Sequence, residues 1–226
     1  MSVHFITGKP GGGKSLYAVR LIADELRIGC RPVVTNVSLR LGELNEYLQR
    51  DGRFPESGVV GRVQLLSDDE TKRFWRVRPY LDVDGAWQIA RIGDTSETDW
   101  KAGKRPCLQV AGCGGVLYVI DELHLFFSAR EWASTGAEAL FYLSQHRKLG
   151  DDVVCVTQAV GHVDKQFRNL AQDFTTLRNL GKEKWKLFRG PRAFLRQTYL
   201  SVPTGPQVPC LPVLRKMSGV VYWCGG

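Results

Sequence analysis

A chain of 226 residues with 43% hydrophobic and 24% charged residues has ordinary globular values, and its length fits one α/β domain with room for an insertion. No window of about eighteen apolar residues occurs, which excludes a transmembrane span within this sequence. The formal net charge of +8 suits a polyanion or an anionic membrane surface, although nucleotide binding does not demand it and a generally basic surface explains it equally well.

The first element in chain order is an apolar run, VHFIT, expected as a buried strand from Val3 to Thr7. A stretch unsuited to strand or helix follows, GKPGGGKS, and a helix is expected at once from Ser15 to Arg27, with Leu16, Val19, Ile22, Ala23 and Leu26 at helical spacing and Gly29 as its stop. Gly8, Gly13, Lys14 and Ser15 meet the pattern G-x-x-x-x-G-K-[ST] in the strand–loop–helix context the pattern requires. Glycines let successive N–H groups turn inward as a nest for phosphate oxygens, and the helix start adds its positive dipole end. The expected nucleotide-binding residues are therefore Gly8, Lys9, Pro10, Gly11, Gly12, Gly13, Lys14, Ser15 and Leu16. Lys14 would reach the β- and γ-phosphates of ATP, and Ser15 would hold Mg²⁺. A glycine-rich turn between a core strand and a core helix is the plainer alternative.

RPVVTNV gives a second strand, Pro32 to Val37, and LGELNEYLQRDG a short helix closed by Gly52. From about residue 53 to 115 the periodicity weakens, and GVVGRVQLL, RFWRVRPYL and AWQIARIG are expected as short strands of a β-rich insertion. Arg73, Arg76 and Arg78 interleave there with Phe74, Trp75 and Tyr80, a mixture that stacks and neutralises single-stranded nucleic acid but is equally the pattern of an ordinary exposed strand. Order returns with the apolar run Val116 to Ile120, which ends in Asp121 and Glu122. A helix over TGAEALFYLSQHRKLG, a buried strand DDVVCVTQ ending at Gln158, a short helix DKQFRNLAQ and strands in DFTTLRNLG, KWKLF and FLRQTYL complete the chain. The alternation predicts a three-layer α/β/α domain over residues 1–180 with a mainly parallel sheet, followed by a strand-rich extension over 181–226.

Asp121, at the carboxyl end of an apolar strand, is where a Walker B acid belongs, sharing Mg²⁺ with Ser15, and Glu122 is positioned to polarise the attacking water. Two acids at a strand end also cap a following segment. D-E-x-H over Asp121 to His124 spells a helicase motif, but such enzymes need a second domain for which the chain has no room. Gln158 ends a strand at the edge where ligands sit in open α/β sheets, so its amide is a candidate sensor of the γ-phosphate as well as a plain cap. None of the six cysteines forms a C-x-x-C pair, Cys155 lies in an apolar run, and Lys9 and Lys14 break the first apolar stretch, so no secretory signal is present and a reducing, cytoplasmic compartment is expected. LRKMSGVVYWCGG, a basic cluster followed by a short apolar run, fits either a natural end or the approach to a membrane segment.

GKPGGGKS, RPVVTNV, VIDE followed by Arg130, QHRKLGDDVVCVTQ and the FRNL around Arg168 together resemble the zonula occludens toxin-like ATPases, filamentous-phage assembly proteins of the additional-strand P-loop branch. The H-R-x-x-G-x-D stretch, His146, Arg147, Gly150 and Asp152, is the most specific part of the likeness. The resemblance implies a RecA-like additional-strand fold and an ATPase at the cytoplasmic face of the host inner membrane. Such a protein drives extrusion of phage single-stranded DNA with coat protein and works with other phage assembly proteins. It also makes a homo-oligomer, a ring, the expected state. No arginine near the loop is obviously placed to act in cis, so Arg130, Arg147 and Arg168 are candidates for a finger donated by a neighbouring subunit, with Arg168 favoured. A nucleotide-dependent scaffold and a small-molecule kinase are the alternatives. A kinase needs a mobile arginine-rich lid, for which Arg189, Arg192 and Arg196 are the candidates.

Overall fold

A computed structural model of the chain describes residues 2–29, 31–50, 61–93, 102–104, 107–111, 114–130, 136–180, 193–202 and 211–216. The strands are β1 Val3–Thr7, β2 Val33–Thr35, β3 Val63–Leu65, β4 Val77–Leu81, β5 Trp87–Arg91, β6 Leu117–Ile120, β7 Asp152–Thr157, β8 Ala171–Asn179, β9 Ala193–Tyr199 and β10 Leu211–Lys216. The helices are α1 Lys14–Ile28, α2 Leu41–Gln49, α3 Asp68–Thr71, α4 Gly136–Leu149 and α5 Lys165–Leu170. Eight strands form one sheet in the order β10-β9-β8-β1-β7-β6-β2-β3. Neighbours from β8 through β3 are parallel, whereas β9 and β10 are antiparallel additions at one edge.

Side chains alternate between sheet faces, and here both faces are apolar, which is why the strands read as unbroken hydrophobic runs. Val3, Phe5, Tyr118, Ile120, Val153 and Cys155 turn to one face and pack with Tyr142 and Leu143 of α4 and Phe167 of α5. Ile6, Leu117, Val119, Val154 and Val156 turn to the other and meet Ala18, Val19, Ile22, Ala23 and Leu26 of α1 and Leu44 and Leu48 of α2. The result is the expected three-layer α/β/α arrangement. Leu16 is only partly buried, and Ala18 takes the core position on that turn. Burial pushes the Cys155 thiol well above its ordinary pKa, so this cysteine behaves as an inert core residue. Among the described residues no helix is long and apolar enough to cross a membrane.

The weakly periodic middle departs from expectation in three ways. Val63–Leu65 pairs in parallel with β2 as an edge strand of the main sheet rather than as part of a separate elaboration. Ser67 caps a short helix, α3, through a capping box with Glu70, a signal present in S-D-D-E but not read from the sequence. Phe74–Arg76 is a 3-10 turn, and only then does β4 begin and fold back on β5 as a hairpin. Gly52 and the KWKLF stretch lie outside the described residues.

Both readings of the basic–aromatic mixture, a nucleic-acid platform or an ordinary exposed strand, are overturned. Phe74, Trp75, Arg76 and Arg78 are buried, while Arg73 is exposed and Tyr80 half-buried. Phe74 packs edge-on to Trp75 and Tyr142, and Trp75 stacks on Tyr142. The arginines reach inward to carboxylates. Arg76 and the indole N–H of Trp75 both donate to Glu138 of α4, the first through Nε at 2.6 Å and the second at 2.9 Å. Burial alone would raise the Glu138 carboxyl, and the hydrogen bonds from Arg76 and Trp75 outweigh it, so its pKa falls below the ordinary value. Arg78 makes a two-pronged pair with Asp151, at 2.8 and 2.9 Å. Asp151 also accepts from the Val116 N–H and the Tyr142 hydroxyl. One fully buried carboxylate therefore ties the hairpin to β6, β7 and α4.

Breaking a buried pair leaves an uncompensated charge, at a cost of about 3–5 kcal/mol. Arg78→Met is expected to lose stability of that size in urea unfolding, whereas Lys165→Met, at an exposed position, should change it by less than about 0.5 kcal/mol.

Candidate active site

Strand β7 lies between β1 and β6, and all three run in parallel, so Thr7, Thr157 and Ile120 end at one edge of the sheet. The loop after β1 and the acids after β6 are therefore brought to the same edge despite their separation in the chain. The loop needs its glycines for two reasons. Gly11 and Gly13 adopt φ of 70° and 95°, in the left-handed region. At Gly8, with φ of 154°, a Cβ would lie 2.4 Å from the Leu177 carbonyl oxygen of β8, and at Gly13 it would strike the Phe194 ring of β9. The late strands thus form the back wall of the loop, and Asn179 donates to the Gly11 carbonyl at 3.3 Å.

Lys14 opens α1 and is nearly buried, with its ammonium donating to the Gly8 carbonyl at 3.1 Å. The adjacent Ser15 hydroxyl donates to Asp121 Oδ2 at 2.9 Å, so the start of α1 touches the end of β6. The other carboxylate oxygen of Asp121 accepts from the backbone N–H of Glu122 at 2.8 Å. Lys9, Pro10 and Gly11 are exposed at the loop tip, Gly12 is buried, and Leu16 is half-buried on the first turn.

Glu122 is the one non-glycine among the described residues with a left-handed backbone, at φ 48° and ψ 42°. That conformation costs roughly 1–2 kcal/mol and turns the chain sharply out of the strand. Glu122 Oε1 then accepts from the Gln158 amide at 3.3 Å. Its Oε2 lies 3.3 Å from His124 Nδ1 but is buried without a hydrogen bond. The ion-pair distance and the missing hydrogen bond differ because the His124 nitrogen is aligned with Thr157 Oγ1 instead, at 3.2 Å. His124 is thus a local contact of the acidic turn. Gln158 is held in turn through its backbone carbonyl, which accepts from Thr7 Oγ1 at 3.1 Å.

Asn36 was not foreseen. It follows β2 and bonds both backbone polar groups of Asp121, one in each of the peptides that flank it: Asp121 N–H donates to Oδ1 at 2.7 Å, and Nδ2 donates to the Asp121 carbonyl at 3.0 Å. The only sequence signal was a polar residue at the end of an apolar strand, in VVTN.

The arginines are not gathered at this edge. Arg147 is exposed in the last turn of α4, just ahead of the opening of β7, and so lies toward the amino edge of the sheet. Arg168 is half-buried in α5, which leads directly into the opening of β8, also an amino end. Arg130 is exposed beyond the acidic turn. Among the described residues none of the three bonds to Lys14, Ser15, Asp121 or Glu122. Arg196 lies on β9 and donates to the Tyr17 hydroxyl of α1 at 2.7 Å, which is a strand position rather than a mobile lid; Arg189 and Arg192 are outside the described residues.

The extra strand between the loop-bearing and acid-bearing strands, together with Lys14 at the head of α1 and the Ser15–Asp121 contact at one edge, defines a P-loop NTPase fold of the additional-strand type. A family model described as Zonular occludens toxin (Zot) matches residues 2–189, and the chain belongs to that family. Curated relatives include the Gene 1 protein of Escherichia phage If1, 33% identical over 184 residues, 80% of this chain and 43% of that protein. The Gene 1 protein of Enterobacteria phage I2-2 is 29% identical over 205 residues, 90% of this chain and 47% of its own length. The chain thus spans less than half the length of these relatives. Among solved structures, the N-terminal domain of zonular occludens toxin from Neisseria meningitidis superposes with a TM-score of 0.47 at 18% identity, covering 91% of this chain and 86% of that one. B204, the DNA-packaging ATPase from Sulfolobus Turreted Icosahedral Virus, gives 0.49 at 13% identity, covering 95% and 97%.

The contact between Gly8 and Leu177 yields a direct test of the loop. Gly8→Ala drives a Cβ into the Leu177 carbonyl, a backbone group that cannot swing aside, and should cost on the order of 1–3 kcal/mol. Gly42→Ala, in α2 with open space around it, should be neutral or stabilising by up to about 1 kcal/mol. Thermal unfolding of the two variants checks the contrast.

Proposed function

We propose that this chain binds and hydrolyses ATP with Mg²⁺ and acts as a motor of filamentous-phage assembly and extrusion. In this reading it works as a homo-oligomer, in a ring, at the cytoplasmic face of the host inner membrane, on complexes of single-stranded DNA and coat protein and alongside other phage assembly proteins. Family membership supports the biological setting, and the +8 charge suits a polyanionic cargo. The observation that carries the enzymatic part is the Ser15–Asp121 contact, with Glu122 and Gln158 beside it.

The residues present fit a Mg²⁺-nucleotide. A hydroxyl and a carboxylate are the hard oxygen donors that such a cation takes, and Ser15, by donating to Asp121, keeps its lone pairs available. Bound between Ser15 and Asp121, the ion would neutralise charge on the phosphate oxygens. The loop N–H groups and the start of α1 hold the phosphates, and Lys14 exchanges its bond to the Gly8 carbonyl for phosphate oxygens. Glu122 Oε2, buried and without a hydrogen bond, is the acceptor free to take a proton from water attacking the γ-phosphorus. Gln158 holds the other oxygen of that carboxylate and keeps it aimed.

Two variants separate binding from chemistry. Lys14→Ala should reduce turnover roughly 10²–10³-fold with nucleotide binding lost. Glu122→Gln should bind ATP normally and hydrolyse it about 10²–10⁴-fold more slowly. Wild-type phosphate release by Lys14→Ala would sink the P-loop reading, and tight binding without hydrolysis by the unmodified chain would favour the scaffold.

If a neighbouring subunit donates an arginine, loss of that arginine should cost about 10³–10⁵ in rate. Mixing Lys14→Ala subunits with subunits lacking the arginine should then recover activity, because one interface pairs an intact loop with an intact arginine. Arg168→Ala and Arg130→Ala are the partners to mix. Arg147→Ala is mixed in the same way; recovery in one mixture identifies the finger, and recovery in none of the three removes the trans-arginine idea.

A further inference from the structure

We propose that Asn36 is a positioning residue for the metal-binding acid, acting by holding the Asp121 peptide rather than by touching substrate. The proposal rests on the P-loop reading above and deepens it. Backbone pairing between β2 and β6 ends at Thr35 and Val119. Beyond that point β2 has finished, and the Asp121 peptide would face no backbone partner on that side. Asn36 supplies one through its side chain. A carboxamide carries an acceptor and a donor in one plane, as a peptide does, so it continues the ladder by one further step. The N–H of Asp121 meets Oδ1 at 2.7 Å, and the carbonyl of Asp121 meets Nδ2 at 3.0 Å.

The position of this step matters because the next residue breaks every strand rule. Glu122 is left-handed, a conformation that persists only where its surroundings over-determine it. One side of that constraint is the bond from Glu122 N–H to Asp121 Oδ1, and the other is the Asn36 clamp on the preceding peptide. With the peptide fixed, Asp121 Oδ2 points at Ser15, and Glu122 points at Gln158. Without it, the strand end is free to relax away from the left-handed turn, and the Asp121 carboxylate loses its fixed distance to the start of α1. Thr35 reinforces the same register one step earlier, its hydroxyl donating to the Val119 carbonyl at 2.6 Å. The acid that completes the metal site is therefore oriented from a third strand, which belongs to neither half of the motif.

Groups that orient a metal-binding residue typically contribute about 10–100-fold in metal affinity. The test is the gain in nucleotide affinity that Mg²⁺ produces, read by fluorescence of a non-hydrolysable methylanthraniloyl ATP analogue in EDTA and in Mg²⁺. Asn36→Ala removes both hydrogen bonds, and Asn36→Leu removes them while nearly keeping the shape, so that at least one variant retains the fold by thermal unfolding. Both should bind the analogue in EDTA as the unmodified chain does and lose at least about tenfold of the Mg²⁺-dependent gain. A Mg²⁺ gain within twofold of the unmodified chain overturns the proposal. So does an equal loss in EDTA and in Mg²⁺, which would mark Asn36 as general scaffolding. If the unmodified chain fails to bind the analogue, and Lys14→Ala behaves identically, the P-loop reading itself has failed, an outcome separate from a defect confined to Asn36.

Discussion

The hydrogen bond from Ser15 to Asp121 joins residues 106 positions apart, and the site is organised around making it possible. A loop can place its phosphate-binding groups at the end of a helix, but the acid must arrive from elsewhere in the chain. Here it arrives across an intervening strand, so the contact depends on the register of two parallel pairings, β1 with β7 and β7 with β6. A slip of one residue in either would turn every side chain of a strand to the opposite face. The two apolar faces prevent that slip, because both core clusters would be lost together.

Polar groups divide by sheet edge. At the carboxyl edge Lys14, Ser15, Asp121 and Gln158 bond to protein groups, and Glu122 Oε2 alone of this set is buried without a hydrogen bond. At the amino edge two carboxylates are paired with one arginine. Asp152 accepts from the Ser2 N–H and from Arg31, which also pairs with Glu25. Burial would raise the Asp152 carboxyl, and the bonds from Arg31 and Ser2 more than offset it, leaving its pKa below the ordinary range. His146 is buried with Nδ1 on the Leu143 carbonyl. The H-R-x-x-G-x-D stretch, the most specific part of the family likeness, thus packs toward the amino edge of the sheet, at the opposite end from the glycine-rich loop.

Much of this was legible in the sequence. The loop, α1, the strand ahead of Asp121, α4 and the strand ending at Gln158 all follow from apolar runs, glycine stops and one spaced motif, because each is local. What was not legible depends on contacts far apart in the chain. Arg76 and Arg78 read as surface cations because nothing nearby announces Glu138 and Asp151, which come from α4 and the approach to β7. Asn36 has the same character, its partner lying on a strand 85 positions away. The role of Leu177 and Phe194 as the back wall of the loop required knowing that β8 and β9 continue the sheet beside β1.

The account stands on Ser15 and Asp121 acting as one unit toward Mg²⁺ and nucleotide, which a double-mutant cycle measures directly. Mg²⁺-dependent ATP affinity would be determined for the unmodified chain, Ser15→Ala, Asp121→Asn and the double variant. Coupled groups show interaction energies of about 0.5–3 kcal/mol, so the double variant should be little worse than the more damaged single one. Losses that add within about 0.3 kcal/mol would mean that the two residues act independently, and the contact seen at 2.9 Å would not be the centre of the site.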